Sequence, residues 1–295
     1  MSLVEALAEA GALPDSWIRV WIRAQLRAGR TPPPLARAAV PGQPPLELPA
    51  AFFEPWLGPR MKLSCGRWPT PTTTLAESEA AMLALTCERA GLAPGMRVLD
   101  LGAGFGALAL WIAERDPSAQ VLALSNSEAE TACVRTRVAE RGPANVTVER
   151  GDARTFETGQ RFDRIFAIEL LEHVADPGAV LARALGWLAP GGRLFVQGLA
   201  GPRTARGHLT PERAWAVDGR EYARTLEAWL GSADRLRSTR PGRRWRLLLL
   251  ACAEAFSWPG PGGWRVEHAL FAPGCMSGAE NARLLLPGTP GKPYD

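Results

Sequence analysis

Residues 98–106, Val-Leu-Asp-Leu-Gly-Ala-Gly-Phe-Gly, constrain this chain more than any other stretch. An apolar run (Val98, Leu99, Leu101) holding the acid Asp100 ends in a glycine-rich turn and leads into an apolar helix-like segment, Ala107 to Ala113. Gly102, Gly104 and Gly106 keep side chains away from a ligand that approaches the backbone. The order Asp-x-Gly-x-Gly-x-Gly departs from the dinucleotide fingerprint, in which Gly-x-Gly-x-x-Gly opens a helix on a pyrophosphate. It suits a ligand with an amino-acid moiety and a ribose better than one with phosphates. Taken alone, it also fits an ordinary glycine-rich turn between strand and helix.

The alternation around this turn is regular. Strands are expected at 97–101, 121–124, 146–149, 162–168 and 193–197, with helices at 106–115, 127–141 and 178–188 between them. That rhythm predicts an α/β fold, a doubly wound, mostly parallel, Rossmann-like sheet. Before it, residues 3–28 read as helical, with an apolar face of Trp17, Ile18, Trp21, Ile22 and Leu26, and a helix is expected at 74–90. Arg19, Arg23, Arg27 and Arg30 lie off that stripe. The preferred reading is a helix packed on the core with a solvated basic edge, over a basic helix lying on a membrane. Residues 208–256 read as mostly helical and 264–271 as a late edge strand. The expected domains are a helical extension with a Pro-rich linker (1–60), a ligand-binding core (61–200), a helical lid with a final strand (201–272) and a flexible tail (273–295).

Composition narrows the function. The 295 residues suffice for one α/β core plus an accessory region. A net charge of +4 permits an anionic partner without requiring one. Five dispersed cysteines (Cys65, Cys87, Cys133, Cys252, Cys275) suggest free thiols in a reducing compartment. Three histidines without ligand spacing argue against a metal. The N-terminus does not read as a signal peptide, and the longest aliphatic run, 247–252, is far too short for a bilayer. A cytoplasmic location is expected. Arg235, Arg237, Arg240, Arg243, Arg244 and Arg246 read as a solvated loop beside Pro241-Gly242, and without aromatic interleaving no nucleic acid is expected.

In a doubly wound sheet, ligands bind at the carboxyl ends of the strands. There stand Asp100 with its glycine turn, Ser125-Asn126-Ser127, and Asp152, whose carboxylate can accept from an adenine amino group. The fourth strand ends in Ile168-Glu169-Leu170-Leu171-Glu172-His173. A helix start stabilised by acids explains one of these carboxylates comfortably, and two acids plus an imidazole less so.

The glycine turn resembles the first motif of class I S-adenosylmethionine (SAM)-dependent methyltransferases. A longer ordered set is more specific: Met61-Lys62-Leu63-Ser64-Cys65-Gly66, then 76–82, Cys87-Glu88-Arg89-Ala90, Ser125-Asn126-Ser127 and 168–173. Trp215-x3-Gly219-x2-Tyr222-x2-Thr225-x3-Trp229-Leu230 and 264–271 complete it. Together they resemble the coclaurine N-methyltransferase branch of the cyclopropane-fatty-acyl-phospholipid synthase family, over roughly residues 46–272. The resemblance implies that Leu63, Ser64, Gly102, Asn126, Asp152 and Ile168 contact SAM. Asp100, Gly104, Gly106 and Glu130 complete the expected cofactor set. It also implies that Glu169, Glu172 and His173 form the catalytic cluster. An amine acceptor must lose a proton to expose its lone pair, and a carboxylate or imidazole can take it.

In the lipid-modifying relatives, the residues matching Cys65, Glu172 and His173 help hold a bicarbonate base. Cys252 falls where those relatives often have a cysteine, and reads better as a buried helix residue. Three departures stand out. The branch usually has Gln at Glu130, the chain has only two tyrosines, Tyr222 and Tyr294, and the acceptor-pocket segment 198–214 is short. The leading expectation is methyl transfer to a small-molecule amine, with Glu172 and His173 as base and Glu169 positioning the ammonium. Modification of unsaturated lipid chains, with peripheral membrane contact, and a non-catalytic SAM-binding protein are the alternatives. Neither the acceptor nor the oligomeric state follows from the sequence.

Overall fold

The computed structural model describes residues 2–38, 48–200, 204–205, 211–259, 263–273 and 286–287. Its centre is a seven-stranded sheet in the order β3-β2-β1-β4-β5-β8-β7. These strands are β1 (Arg97–Leu101), β2 (Gln120–Ser125), β3 (Val146–Arg150), β4 (Phe162–Ile168), β5 (Leu188–Ala200), β7 (Arg213–Val217) and β8 (Arg265–Phe271). The first five are parallel, while β8 runs antiparallel between β5 and β7. The late strand is therefore not an edge strand. β7 covers it, within a stretch that reads as helical because Ala and Arg dominate residues 213–216. A two-residue β6 (Thr204–Ala205) pairs with β9 (Leu286–Pro287), which packs near β5 and the 3-10 turn Leu171–His173.

Alternation in β1 explains the two-sided core. Leu99 and Leu101 pack with Ile165 and Val196 toward Val180 and Leu181 of α8 (Pro177–Gly186). Val98 packs with Phe166 and Phe195 toward Leu108 and Ile112 of α6 (Ala107–Arg115). On the latter face lies α5 (Leu75–Ala90), started by a reciprocal Thr74–Glu77 capping box and stopped by Gly91 in the left-handed region. α7 (Glu128–Arg141) connects β2 to β3.

The remaining helices form a second cluster beside the sheet. They are α1 (Leu3–Ala10), α2 (Asp15–Arg27), α3 (Pro33–Ala38), α4 (Ala50–Phe53), α9 (Gly219–Ser232) and α10 (Arg240–Ser257). Trp56 meets Trp229 of α9 edge-on at 5.9 Å, and Phe53 meets Trp245 of α10 at 5.3 Å.

Three expectations for this region are corrected. In α2 the core contacts are Ile18, Ile22 and Leu26, whereas Trp17 is 69% exposed. Arg19 and Arg23 are not a solvated edge. Arg19 bridges Glu227 of α9 and buried Glu254 of α10 at 2.8 Å each, and Arg23 reaches Glu254 at 2.6 Å. The arginine run 235–246 is likewise helical rather than a loop. Thr239 caps α10 through Gly242 N–H, and Arg246 clamps Asp15 at the start of α2.

Candidate active site

The glycine turn takes the shape its sequence demands. Gly102, Gly104 and Gly106 have φ of 81°, 53° and 78°, a region that side chains reach only with strain. The N–H groups of Gly102 and Ala103 donate to Leu124 C=O at the end of β2, which pins the turn open. A Cβ on Gly102 would lie 2.8 Å from Leu170 Cδ1, so this glycine lets the acid-bearing loop close against the turn. At Gly104 a Cβ would meet nothing within 4 Å, so the backbone there faces open space. That cradle fits a ligand that must lie against main chain. Buried Asp100 braces the turn by accepting from Ala109 N–H at 3.1 Å, and desolvation pushes its carboxyl up to about 7.

The neighbouring strand ends hold the other expected cofactor residues. Ser125 Oγ donates to Glu130 and accepts from Ser127 N–H, and Ser127 Oγ caps α7 through Glu130 N–H. Asn126 is exposed between them. Asp152 ends the third strand unit with both carboxylate oxygens on Arg154, an ion pair that lowers its pKa. Leu63 and Ile168 are half-buried, and Ser64 is buried with its Oγ accepting from Lys62 Nζ at 2.5 Å.

Across the turn, Glu169 is held from three directions. It is one of two non-glycine residues with positive φ (49°) among the described residues, a conformation that persists only where surroundings fix it. One carboxylate oxygen accepts from Cys65 N–H (3.1 Å) and Gln197 Nε2 (2.7 Å), and the other from Tyr222 O–H (2.7 Å). Burial raises its pKa, while Lys62 and these three donors oppose that rise. Lys62 is itself buried, with its ammonium on Ser64 Oγ and Cys65 C=O and its pKa lowered by desolvation.

Glu172, on the 3-10 turn, differs. Its Oε1 accepts from Leu199 N–H at 2.5 Å, and its buried Oε2 has no hydrogen-bond partner among the described residues. Desolvation, reinforced by the charge of Glu169, pushes its carboxyl up to about 7. A buried carboxylate oxygen with no donor is an acceptor waiting for a proton. His173 stands on the exposed rim, with its pKa lowered by the surrounding protein mass.

The structure thus places Glu169 beside Glu172, ties Cys65 to Glu169 through its backbone N–H, and turns His173 outward. It adds residues that sequence reasoning left without a role. Gln197 Oε1 accepts from buried His268 Nε2 (3.0 Å), whose Nδ1 meets Arg89 at 2.8 Å, so a wire runs from Glu169 across β5 and β8 to α5. Arg89 in turn stacks on Trp215 at 5.2 Å. Tyr222 and Thr225 lie one turn apart on α9, and Thr225 accepts from Gly66 N–H and Trp68 Nε1–H. A lysine inside the apolar 61–65 run was the available signal for Lys62. Nothing local marks Gln197 or His268.

The four described cysteines carry no nucleophilic signature. Burial raises the Cys65 thiol well above its usual value, and desolvation pushes Cys252 in α10 up to about 12. Among the described residues four cysteines are free, no metal-binding cluster occurs, and no helix is long and apolar enough to cross a membrane. Cys275, Tyr294 and much of the 198–214 segment lie outside the described residues.

Comparison with known proteins follows the same lines. The profile of the mycolic acid cyclopropane synthetase family matches residues 43–218. (S)-coclaurine N-methyltransferase of Papaver somniferum is 30% identical over 275 residues, covering 76% of this chain and 78% of that protein. A crystal structure of coclaurine N-methyltransferase bound to N-methylheliamine and SAH superposes with a TM-score of 0.75 at 26% identity, over 90% of this chain and 96% of that one. A cyclopropane synthase from Mycobacterium tuberculosis shares the fold, with a TM-score of 0.67 at 22% identity over 81% of this chain and 98% of that one.

Proposed function

Since the chain belongs to the mycolic acid cyclopropane synthetase family and is a SAM-dependent methyltransferase, we propose that it methylates the nitrogen of a small-molecule amine. The observation that carries this reading is the unpartnered Glu172 Oε2 beside the anchored Glu169. SAM, when bound, supplies a methyl group activated on a sulfonium. The glycine turn, Ser64, Asn126, Glu130, Asp152 and Ile168 would hold it at the ends of the strands.

Everything else falls to the side chains. Glu169 has three donors and is not free to take a proton without losing one of them. Its role is a fixed negative charge that holds an incoming ammonium. Glu172 Oε2 takes the ammonium proton, which leaves the lone pair on nitrogen, and a carboxyl near 7 is poised for that transfer at neutral pH. His173, on the rim, passes the proton to water. The coclaurine, pavine and tetrahydroprotoberberine N-methyltransferases among the relatives support an amine acceptor.

The test is where a labelled methyl goes. Purified protein with methyl-labelled SAM and a metabolite-plus-lipid extract of the source cells is expected to label water-soluble basic small molecules. Label in the organic phase overturns the amine reading in favour of lipid modification, as in the probable fatty acid methyltransferase of Pseudomonas putida, 27% identical over 264 residues.

A further inference from the structure

We propose that α1 and α2 form a docking face for an anionic lipid bilayer. The exposed large hydrophobic side chains among the described residues are Leu3, Leu7, Trp17 and Val20, and all four stand on these two helices. In α2, Ile18, Ile22 and Leu26 recur every four residues and face the core. Trp17, Val20, Ala24 and Arg27 recur at helical spacing on the opposite side, and all four are exposed. In α1, Leu3 and Leu7 lie one turn apart, while buried Glu5 and Glu9 occupy the other side. Both helices pack on α10, so both outward stripes face away from it.

Charge selects the occupant. Segments 1–30 and 234–246 together hold ten arginines and four carboxylates, an excess larger than the +4 of the whole chain. Even with Glu227 and Glu254 set against Arg19 and Arg23, this region carries the chain's whole excess of +4, and the basic charge is concentrated around these stripes. Arg240 and Arg244 reach Glu9 at 3.5 and 3.1 Å, and Arg237 reaches Asp15 at 2.8 Å, so the basic start of α10 abuts the corner between α1 and α2. Arg27, Arg30 and Arg235 have no ion pair among the described residues.

An apolar stripe with an interfacial tryptophan and an arginine border matches a headgroup layer. The ring and leucines enter the acyl boundary while the guanidinium groups stay at the phosphates. A second copy of this chain fits poorly, because a two-fold contact would set this positive field against itself. The inward clamps of Arg19 and Arg23 on Glu227 and Glu254 fix which face of α2 is presented. The proposal is independent of which acceptor is methylated.

Sedimentation with vesicles tests it. The wild-type protein is expected to bind phosphatidylglycerol-containing vesicles at low salt at least about tenfold better than pure phosphatidylcholine vesicles, with the difference lost at high salt. Trp17→Ser with Val20→Ser, and separately Arg27→Gln with Arg30→Gln, are each expected to weaken anionic binding by roughly tenfold. SAM affinity should not change in either, which shows that the fold is intact. No binding, equal binding to neutral vesicles, or indifference to both variants overturns the proposal. So does a wild-type dimer in light scattering that Trp17→Ser with Val20→Ser converts to a monomer, since a second copy then covers the face.

Discussion

The two halves of the site are built in opposite ways. On the cofactor side, side-chain contacts are local. Ser125, Ser127 and Glu130 bond within five residues of one another, and Asp152 pairs with Arg154 two residues on. On the acid side, Glu169 is held by Cys65, 104 residues away, Tyr222, 53 away, and Gln197, 28 away. The first half leans on φ values and strand ends and stays partly exposed. The second exists only once α9, the 62–66 segment and the central strands have met. Local geometry can be encoded in a short motif, whereas a converging network depends on the whole fold.

The largest effect that separates the halves is expected from Glu172→Gln. With no base, turnover should fall by about 10²–10⁴-fold while SAM affinity, read by calorimetry, stays put. Stability should move the other way. Folding raises the Glu172 carboxyl from 4.5 to about 7, so the stabilisation it gives is fully present below about 4.5 and lost as pH rises through about 7. Asp100 shares that window, so removing Glu172 should flatten only part of the decline in Tm and leave the variant more stable than wild type above pH 7. Equal loss of SAM binding and turnover would break the comparison, because the acid half would then be building the cofactor half.

Gly104→Ala probes the other side. Its φ of 53° costs a side-chain residue roughly 1–2 kcal/mol, and the added methyl enters the open cradle. SAM affinity is expected to fall by roughly tenfold, with turnover at saturating SAM within severalfold of wild type. A larger loss of turnover than of affinity would mean that this turn also sets the geometry of the acids through Leu170 and Gly102.

This division explains how much the sequence disclosed. Strand Phe162–Ile168 and the helix ending at Ala90 follow from alternation, a Thr74 cap and a terminal glycine, all readable within a few residues. Glu169 and Glu172 are legible because two acids closing an apolar strand are costly without a function. What escaped depends on long-range partners. Trp17 and Trp21 suggest burial by type, yet Glu227 and Glu254 draw Arg19 and Arg23 inward and turn Trp17 out. β7 is a strand because β8 offers it a ladder, not because residues 213–217 prefer one. Gln197 and His268 become functional candidates only when β5 and β8 pair them side by side.

The smallest effect, and the sharpest test of the acid half, concerns that pair. A guanidinium only donates, so Arg89 makes His268 Nδ1 an acceptor and leaves the proton on Nε2. Nε2–H then donates to Gln197 Oε1, which leaves the Gln197 amide nitrogen, and not its oxygen, against Glu169. Burial, with help from Arg89 and Lys62, holds the His268 pKa down at about 3, so this polarity is kept throughout the working pH range. Arg89→Met removes the donor and lets the imidazole choose either tautomer. In one of them Gln197 turns its oxygen on the carboxylate, and Glu169 loses a hydrogen bond to a charged group. About a tenfold fall in turnover is expected, corresponding to about 1.5 kcal/mol, with SAM affinity unchanged. Arg89→Lys, which still donates, should restore most of it. If Lys fails to rescue, or if Tm falls without a change in turnover, the wire is packing alone and Glu169 is oriented by Tyr222 and Cys65 without it.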